Sequence, residues 1–212
     1  MCIRDSKVVV VNPYYVKLDF RKAESKIDYL SSEISEKKYG KWVEENAEAV
    51  GLETQMLSNN LVEIGEAEKM NELMYMTEWF NQQLELEEIQ MRGFNQESVI
   101  EIADKYGTDH FLWTGVVSGR KKKSILGLIT LLYVHPAYSA YYLTHPAYES
   151  MFFSILINVR TGEMEMTKMN PLFTKDSGSV VNAHLYDTFS QIKRKPKSVS
   201  YTHLTLPTIL LV

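Results

Sequence analysis

Four consecutive valines, Val8 to Val11, constrain this chain more than any other feature. β-branched side chains favour extended backbone, and successive side chains of a strand point to opposite faces. An unbroken apolar run therefore reads as a strand buried on both sides, in a sheet that needs cover on each face. Asn12-Pro13 is expected to stop it.

The rest of the pattern supplies the cover. Ile27, Leu30, Ile34, Trp42, Val43, Ala47 and Val50 recur at helical spacing, with Gly40 either breaking the helix or tolerated within it. Gly51 is placed to cap this helix, and Leu52–Leu57 reads as a short second strand before the turn Ser58-Asn59-Asn60. One or two helices follow over 66–89, with Met70, Leu73, Met74, Met76, Trp79, Phe80 and Leu84 in the apolar positions. Another covers Gln96–Tyr106, with Val99, Ile100, Ala103 and Tyr106 inward and Gly107 as its stop. His110–Ser118 reads as a strand. Phe152–Val159 and Glu163–Met169 flank Arg160-Thr161-Gly162, a hairpin signal. An amphipathic helix over Gly178–Lys193 carries Val181, His184, Leu185, Thr188, Phe189 and Ile192 on one side. The order β-α-β-α-α-β-(insert)-β-β-α predicts a single α/β sandwich, a mixed sheet flanked by helices. The helices at 27–50 and 178–193 are expected to cover the two faces of the valine strand, with Phe111–Val117 in the same sheet and the 153–169 hairpin extending it.

Composition narrows the class. Of 212 residues, 45% are hydrophobic and 24% charged, which excludes disorder, collagen and a polytopic membrane protein. A net charge of −4 and a pI near 5.8 argue against binding nucleic acid over the whole surface. Cys2 is the only cysteine, so neither a disulfide framework nor a cysteine zinc site is available. The ends are expected to be foreign to the gene. Met1–Ser6 is what ATG TGT ATA AGA GAC AG and one further base encode, and the reverse complement of that string encodes the Val-Ser-Tyr-Thr-His found within Ser198–His203. The string is the mosaic end of a transposase used in sequencing libraries. Residues 1–6 and about 199–212 are accordingly expected to be adapter read-through, leaving 7–198 as one α/β domain whose own N-terminus is missing. Trimming Arg4 and Asp5 takes the 23 basic and 27 acidic residues to 22 and 26, still −4.

Charge is uneven along the chain. Glu33 to Glu101 holds 16 Glu against four Lys and one Arg, whereas Arg120–Lys123 and Lys193–Lys197 are basic. The first block reads as solvated helix faces. The basic cluster Arg120, Lys121, Lys122, Lys123 runs directly into an apolar insertion at 124–148 containing Leu126, Ile129, Leu132 and Tyr133. Its apolar part is shorter and more proline-interrupted than the roughly 20 residues a membrane span needs. It suits a membrane-surface element, a partner contact or a core helix, and partial exposure is expected because the sandwich already has helices for both faces.

The insertion ends in a tandem repeat, His135-Pro-Ala-Tyr138 and His145-Pro-Ala-Tyr148. Two histidines with only Glu149 close by do not complete a metal site, and the repeat reads as two similar turns with Tyr138 and Tyr148 packing. The alternative is a small-molecule or metal-binding protein or enzyme built on that repeat. His184 reads as a satisfied core or boundary histidine, and Asp104, Asp109 and His110 as turn residues. No phosphate loop, nucleophile elbow or dinucleotide fingerprint occurs, so no catalytic residue, metal ligand or cofactor is expected.

Glu101-Ile-Ala-Asp-Lys-Tyr-Gly-Thr-Asp-His-Phe-Leu-Trp-Thr-Gly-Val-Val-Ser118 resembles a recurrent unit of bacterial envelope proteins, in which a helix ending A-x-x-x-G-x-D delivers a strand. The pattern is similar to that of the curli-secretion lipoprotein CsgG, the N-terminal domain of the translocation protein TolB and the lipoprotein LpoB. Val8–Val11 followed by Pro13 resembles their first strand, and Ile155-Leu-Ile-Asn-Val-Arg-Thr-Gly-Glu163 their hairpin, in the same order. The longer region 58–95 and the insertion depart from the common core. The resemblance implies a non-enzymatic cell-envelope lipoprotein on the periplasmic side, anchored through the missing N-terminus. Its implied partner is another envelope protein or a second copy of itself, with membrane-surface contact through the insertion and no catalytic residue to carry over.

Overall fold

The computed structural model describes residues 7–20, 26–58, 66–85, 96–121, 147–172 and 178–194. In it the valine run opens β1 (Lys7–Phe20), and Val8 to Val11 are buried on both faces. The strand does not stop at Asn12-Pro13. The backbone turns through φ 41° at Asn12, a left-handed conformation that asparagine tolerates, and the pairing register shifts between Val11 and Tyr14. This bulge moves the inward face from Val8 and Val10 to Tyr15, and β1 continues to Phe20. A proline lacks the N–H that a regular ladder would use, so the bulge is where it can sit.

β2 (Lys26–Ile27) leads into α1 (Tyr29–Ala49), then β3 (Glu53–Leu57), α2 (Ala67–Glu85), α3 (Gln96–Tyr106) and β4 (His110–Lys121). β5 (Ala147–Asn158), β6 (Glu163–Leu172) and α4 (Gly178–Lys193) complete the described chain. The sheet runs β2-β1-β4-β5-β6, with β3 paired to the first half of β1. β1 is parallel to β3 and β4; the β1–β2, β4–β5 and β5–β6 pairs are antiparallel. This is the mixed α/β sandwich that the element order predicts, with the short β2 added. Gly51, Gly107 and Gly162 take positive φ at the stops of α1 and α3 and in the hairpin.

The helices divide differently from expectation. α1 and α4 lie on the same face, where Tyr39, Val43, Ala47, Val181, Leu185, Phe189 and Ile192 pack on Val8, Val10, Leu112 and Phe152. The other face is covered by α2 and α3, through Leu73, Met76, Trp79, Phe80, Val99 and Ile102 on Val9, Val11, Phe111 and Ile157. Met70 and Met74, placed inward by sequence spacing, are exposed. Ile102, not read as inward, is buried.

Tyr39 and Tyr106 are expected to make the fold alkali-sensitive. The Tyr39 hydroxyl lies 2.7 Å from Thr114 Oγ1, which donates to the Phe153 carbonyl at 2.9 Å. Burial pushes the Tyr39 phenol well above its ordinary range, and burial with the Glu72 carboxylate pushes Tyr106 up to about 12. In the unfolded chain tyrosines ionise near about pH 10. Above that pH the folded chain retains protons the unfolded chain has lost, so stability is full below it and falls as pH rises through the folded values. Urea midpoints should therefore drop as pH rises above about 10, and Tyr39→Phe should flatten the slope. Equal slopes in the two proteins would contradict the assignment to Tyr39.

Candidate interaction surface

At one end of the sheet β4 and β5 remain paired to their last residues, Lys121 opposite Ala147 and Arg120 opposite Tyr148. Ser118 and Ser150, paired on the α1–α4 face, are buried and hydrogen-bonded at 2.9 Å. The buried polar rung is thus satisfied. Arg120 is exposed at the tip. Lys122, Lys123, Leu126, Ile129, Leu132, Tyr133 and Tyr138, together with His135 and His145, lie outside the described residues. The expected partial exposure of the insertion lies there too. Residues 122–146 join two strands that are paired up to the point of departure.

The start of α1 lies at the same end. Asp19 of β1 is paired with Lys26 on one side and Arg120 on the other, and Leu18 with Ile27 and Gly119. Asp28 caps the helix, accepting from the Ser31 N–H at 3.1 Å and the Ser31 hydroxyl at 2.7 Å. Those bonds from Ser31 hold its carboxyl below the usual carboxylate range. The Asp28 N–H donates to the Lys17 carbonyl, and the Lys17 N–H donates to Ser32 Oγ, both at 2.9 Å. Ser32 is buried in consequence.

This tether turns the helix so that Ser32, Tyr39, Val43 and Ala47 face the sheet. Ile27, Leu30 and Ile34, placed on the buried side by sequence spacing, are exposed instead, with Tyr29 beside them. Tyr29 is 76% and Leu30 70% accessible. The one sequence signal for this was Asp28-x-x-Ser31-Ser32, a cap whose second serine could reach back to a strand.

The other polar clusters are braces. The Arg160 guanidinium donates to Asp109 through Nε at 3.1 Å and to Asp104 at 2.6 Å, tying the β5–β6 turn to the α3–β4 turn. Lys105 bridges Glu68 at 2.7 Å and Glu72 at 2.5 Å, and Tyr106 donates to Glu72 at 3.0 Å, joining α2 to α3. His110 Nε2 lies 3.3 Å from Glu165. His184 stacks on Phe152 at 5.3 Å with Nδ1 3.3 Å from Asn170, the boundary histidine expected. Among the described residues no three His, Cys, Asp or Glu side chains group to hold a metal, and no helix is long and apolar enough to cross a membrane.

No protein-family model and no curated protein matches the chain. Solved structures do. The PelC dodecamer from Paraburkholderia phytofirmans is similar at 12% identity over 90% of this chain and 89% of that one, with a TM-score of 0.36. The LpoB C-terminal domain from Salmonella enterica is similar at 13% identity over 80% and 84%, with a TM-score of 0.30. Lipoprotein GNA1162 from Neisseria meningitidis is similar at 9% identity over 90% and 98%, with a TM-score of 0.33.

Proposed function

We propose that this chain is a non-enzymatic interaction or assembly module of the bacterial cell envelope, held on the periplasmic side by a lipid anchor upstream of Lys7. Its contacts are made at the end of the sheet that carries Arg120 and Lys121, through the apolar insertion that follows. The observation that carries the reading is the β4–β5 ladder, paired out to Lys121 and Ala147, so that the chain leaves for its basic and apolar stretch of sequence from the end of a sheet whose described part is covered on both faces. The partner is an envelope protein or a second copy of the chain.

The three motifs behind the envelope assignment support it as a unit. Val8–Val11 lies in β1, Glu101–Ser118 spans the end of α3, its glycine stop and β4, and Ile155–Glu163 forms the β5–β6 turn. β1, β4 and β5 are neighbours in the sheet, and Arg160 of the third motif clamps Asp104 and Asp109 of the second. The test is the intact open reading frame. A signal peptide followed by a lipid-attachment cysteine upstream of Lys7 is expected, and an upstream sequence with neither would overturn the envelope assignment.

A further inference from the structure

We propose that the exposed ridge at the start of α1 rests on an anionic lipid surface. The inference deepens the reading of this end of the sheet as the contact end and rests on it.

Leu30 and Ile34 stand one turn apart on the outward side of α1, with Ile27 of β2 and Tyr29 just before them. All four are large, apolar in body and exposed. The same outward ridge continues into Lys37, Lys38 and Lys41, each exposed. Lys26 and Arg120, also exposed, stand on the strand row beside Ile27. Aliphatic residues and a tyrosine bordered by lysine and arginine suit the boundary between headgroups and acyl chains, where the apolar bodies enter and the cations meet phosphate. Acids share the region: Asp19 stands between Lys26 and Arg120 in the strand row, Asp28 caps the helix, Glu33 pairs with Lys37 at 2.7 Å, and Glu36 lies in the next turn. Beyond Lys41 the helix turns acidic at Glu44, Glu45 and Glu48, which confines the contact to its first turns. Lys17, Lys26, Lys37, Lys38, Lys41 and Arg120 against these first four acids leave the start of the helix at +2, in a chain that carries −4 as a whole.

The ridge is also rigid. The Asp28 cap and the Ser32–Lys17 tether fix its pitch against β1, so little order is lost on docking. Ile27 and Gly119 stand on either side of Leu18, about 10 Å apart at ordinary strand spacing. The chain that leaves β4 after Lys121 therefore starts from beside the ridge.

The test is flotation of the full chain with vesicles of phosphatidylcholine alone or mixed with phosphatidylglycerol. Flotation is expected with the anionic vesicles only and should fall steeply as salt rises. Tyr29→Ser with Leu30→Ser should cut the bound fraction by about tenfold or more, because both side chains are exposed in the free protein and gain burial only on the surface. Lys37→Gln, Lys38→Gln and Lys41→Gln together should flatten the salt dependence. Unchanged circular dichroism and melting in these variants show that the fold is intact. Equal flotation of the serine variant, equal flotation on neutral vesicles, or none at all would overturn the inference. So would an oligomer that the serine substitutions dissolve, which would give the ridge to a second copy. Failure to float alongside an oligomer that depends on the insertion overturns only the lipid assignment. Absence of both overturns the contact reading beneath it.

Discussion

Gly115→Ala is expected to destabilise the protein by about 3 kcal/mol or more, at or beyond the upper end of ordinary overpacking. Gly115 faces Tyr14 on one side and Phe153 on the other in the ladders of β4. A Cβ there would stand 2.5 Å from the Tyr14 carbonyl oxygen and 2.8 Å from two carbons of the Phe153 ring. The carbonyl belongs to the backbone just after the β1 bulge and cannot withdraw without loss of pairing. The ring is held by Trp113, with centroids 5.1 Å apart, and by Tyr14 at 6.4 Å. For a domain of this size the melting temperature should fall by roughly 6–12 °C. Gly40→Ala supplies the contrast. Gly40 sits inside α1, and its Cβ would meet only the Met56 methyl at 3.6 Å. That substitution should stabilise by about 0.5–1 kcal/mol, since alanine is the better helix former. Thermal melts of the two variants should move in opposite directions; a neutral Gly115→Ala would refute the close approach.

Phe152→Ala should cost about 3–5 kcal/mol, the range for deleting a buried aromatic ring from a core. Phe152 is fully buried in the cluster under α1 and α4 and stacks on His184. The two faces of the sheet share β1, β4 and β5, so the loss should be felt on both. Trp42 packs against the α1–α4 cluster, while Trp79 and Trp113 report on the α2–α3 cluster. Urea unfolding followed by each tryptophan in turn, with the others replaced by phenylalanine, should give coincident midpoints that shift together in Phe152→Ala. Separate midpoints would mean that the two layers fold independently.

Much of this architecture is legible in the sequence because burial writes itself into side-chain spacing. Val8 to Val11 can only be a strand covered twice, and the glycine stops and the Arg160-Thr161-Gly162 hairpin are local chemistry. What the spacing misplaces depends on long-range bonds. Asn12-Pro13 looks like a stop because a bulge is defined by the partner strand that absorbs it. Ile27, Leu30 and Ile34 look like core because the bond from the Lys17 N–H to Ser32, fifteen residues away, decides which way α1 is turned. The assignment of α1 and α4 to one face follows from the connection order, on which periodicity is silent. The basic cluster before the insertion was legible as a feature. The place of Arg120 and Lys121 at the end of the β4–β5 ladder came only with the strand register.

The proposed contact role of residues 122–146 requires a sandwich that is stable without them. The most direct measurement replaces 122–146 by Asn-Gly, a two-residue turn suited to joining the antiparallel ends at Lys121 and Ala147, and compares unfolding and sedimentation with the full chain. Shortening the loop more than tenfold should by itself add about 2 kcal/mol of stability through loop-closure entropy. The account predicts a melting temperature equal to or above that of the full chain, with concentration-dependent association lost. A melting temperature lower by about 10 °C or more, a loss of several kcal/mol, would place the segment in the core and contradict the account.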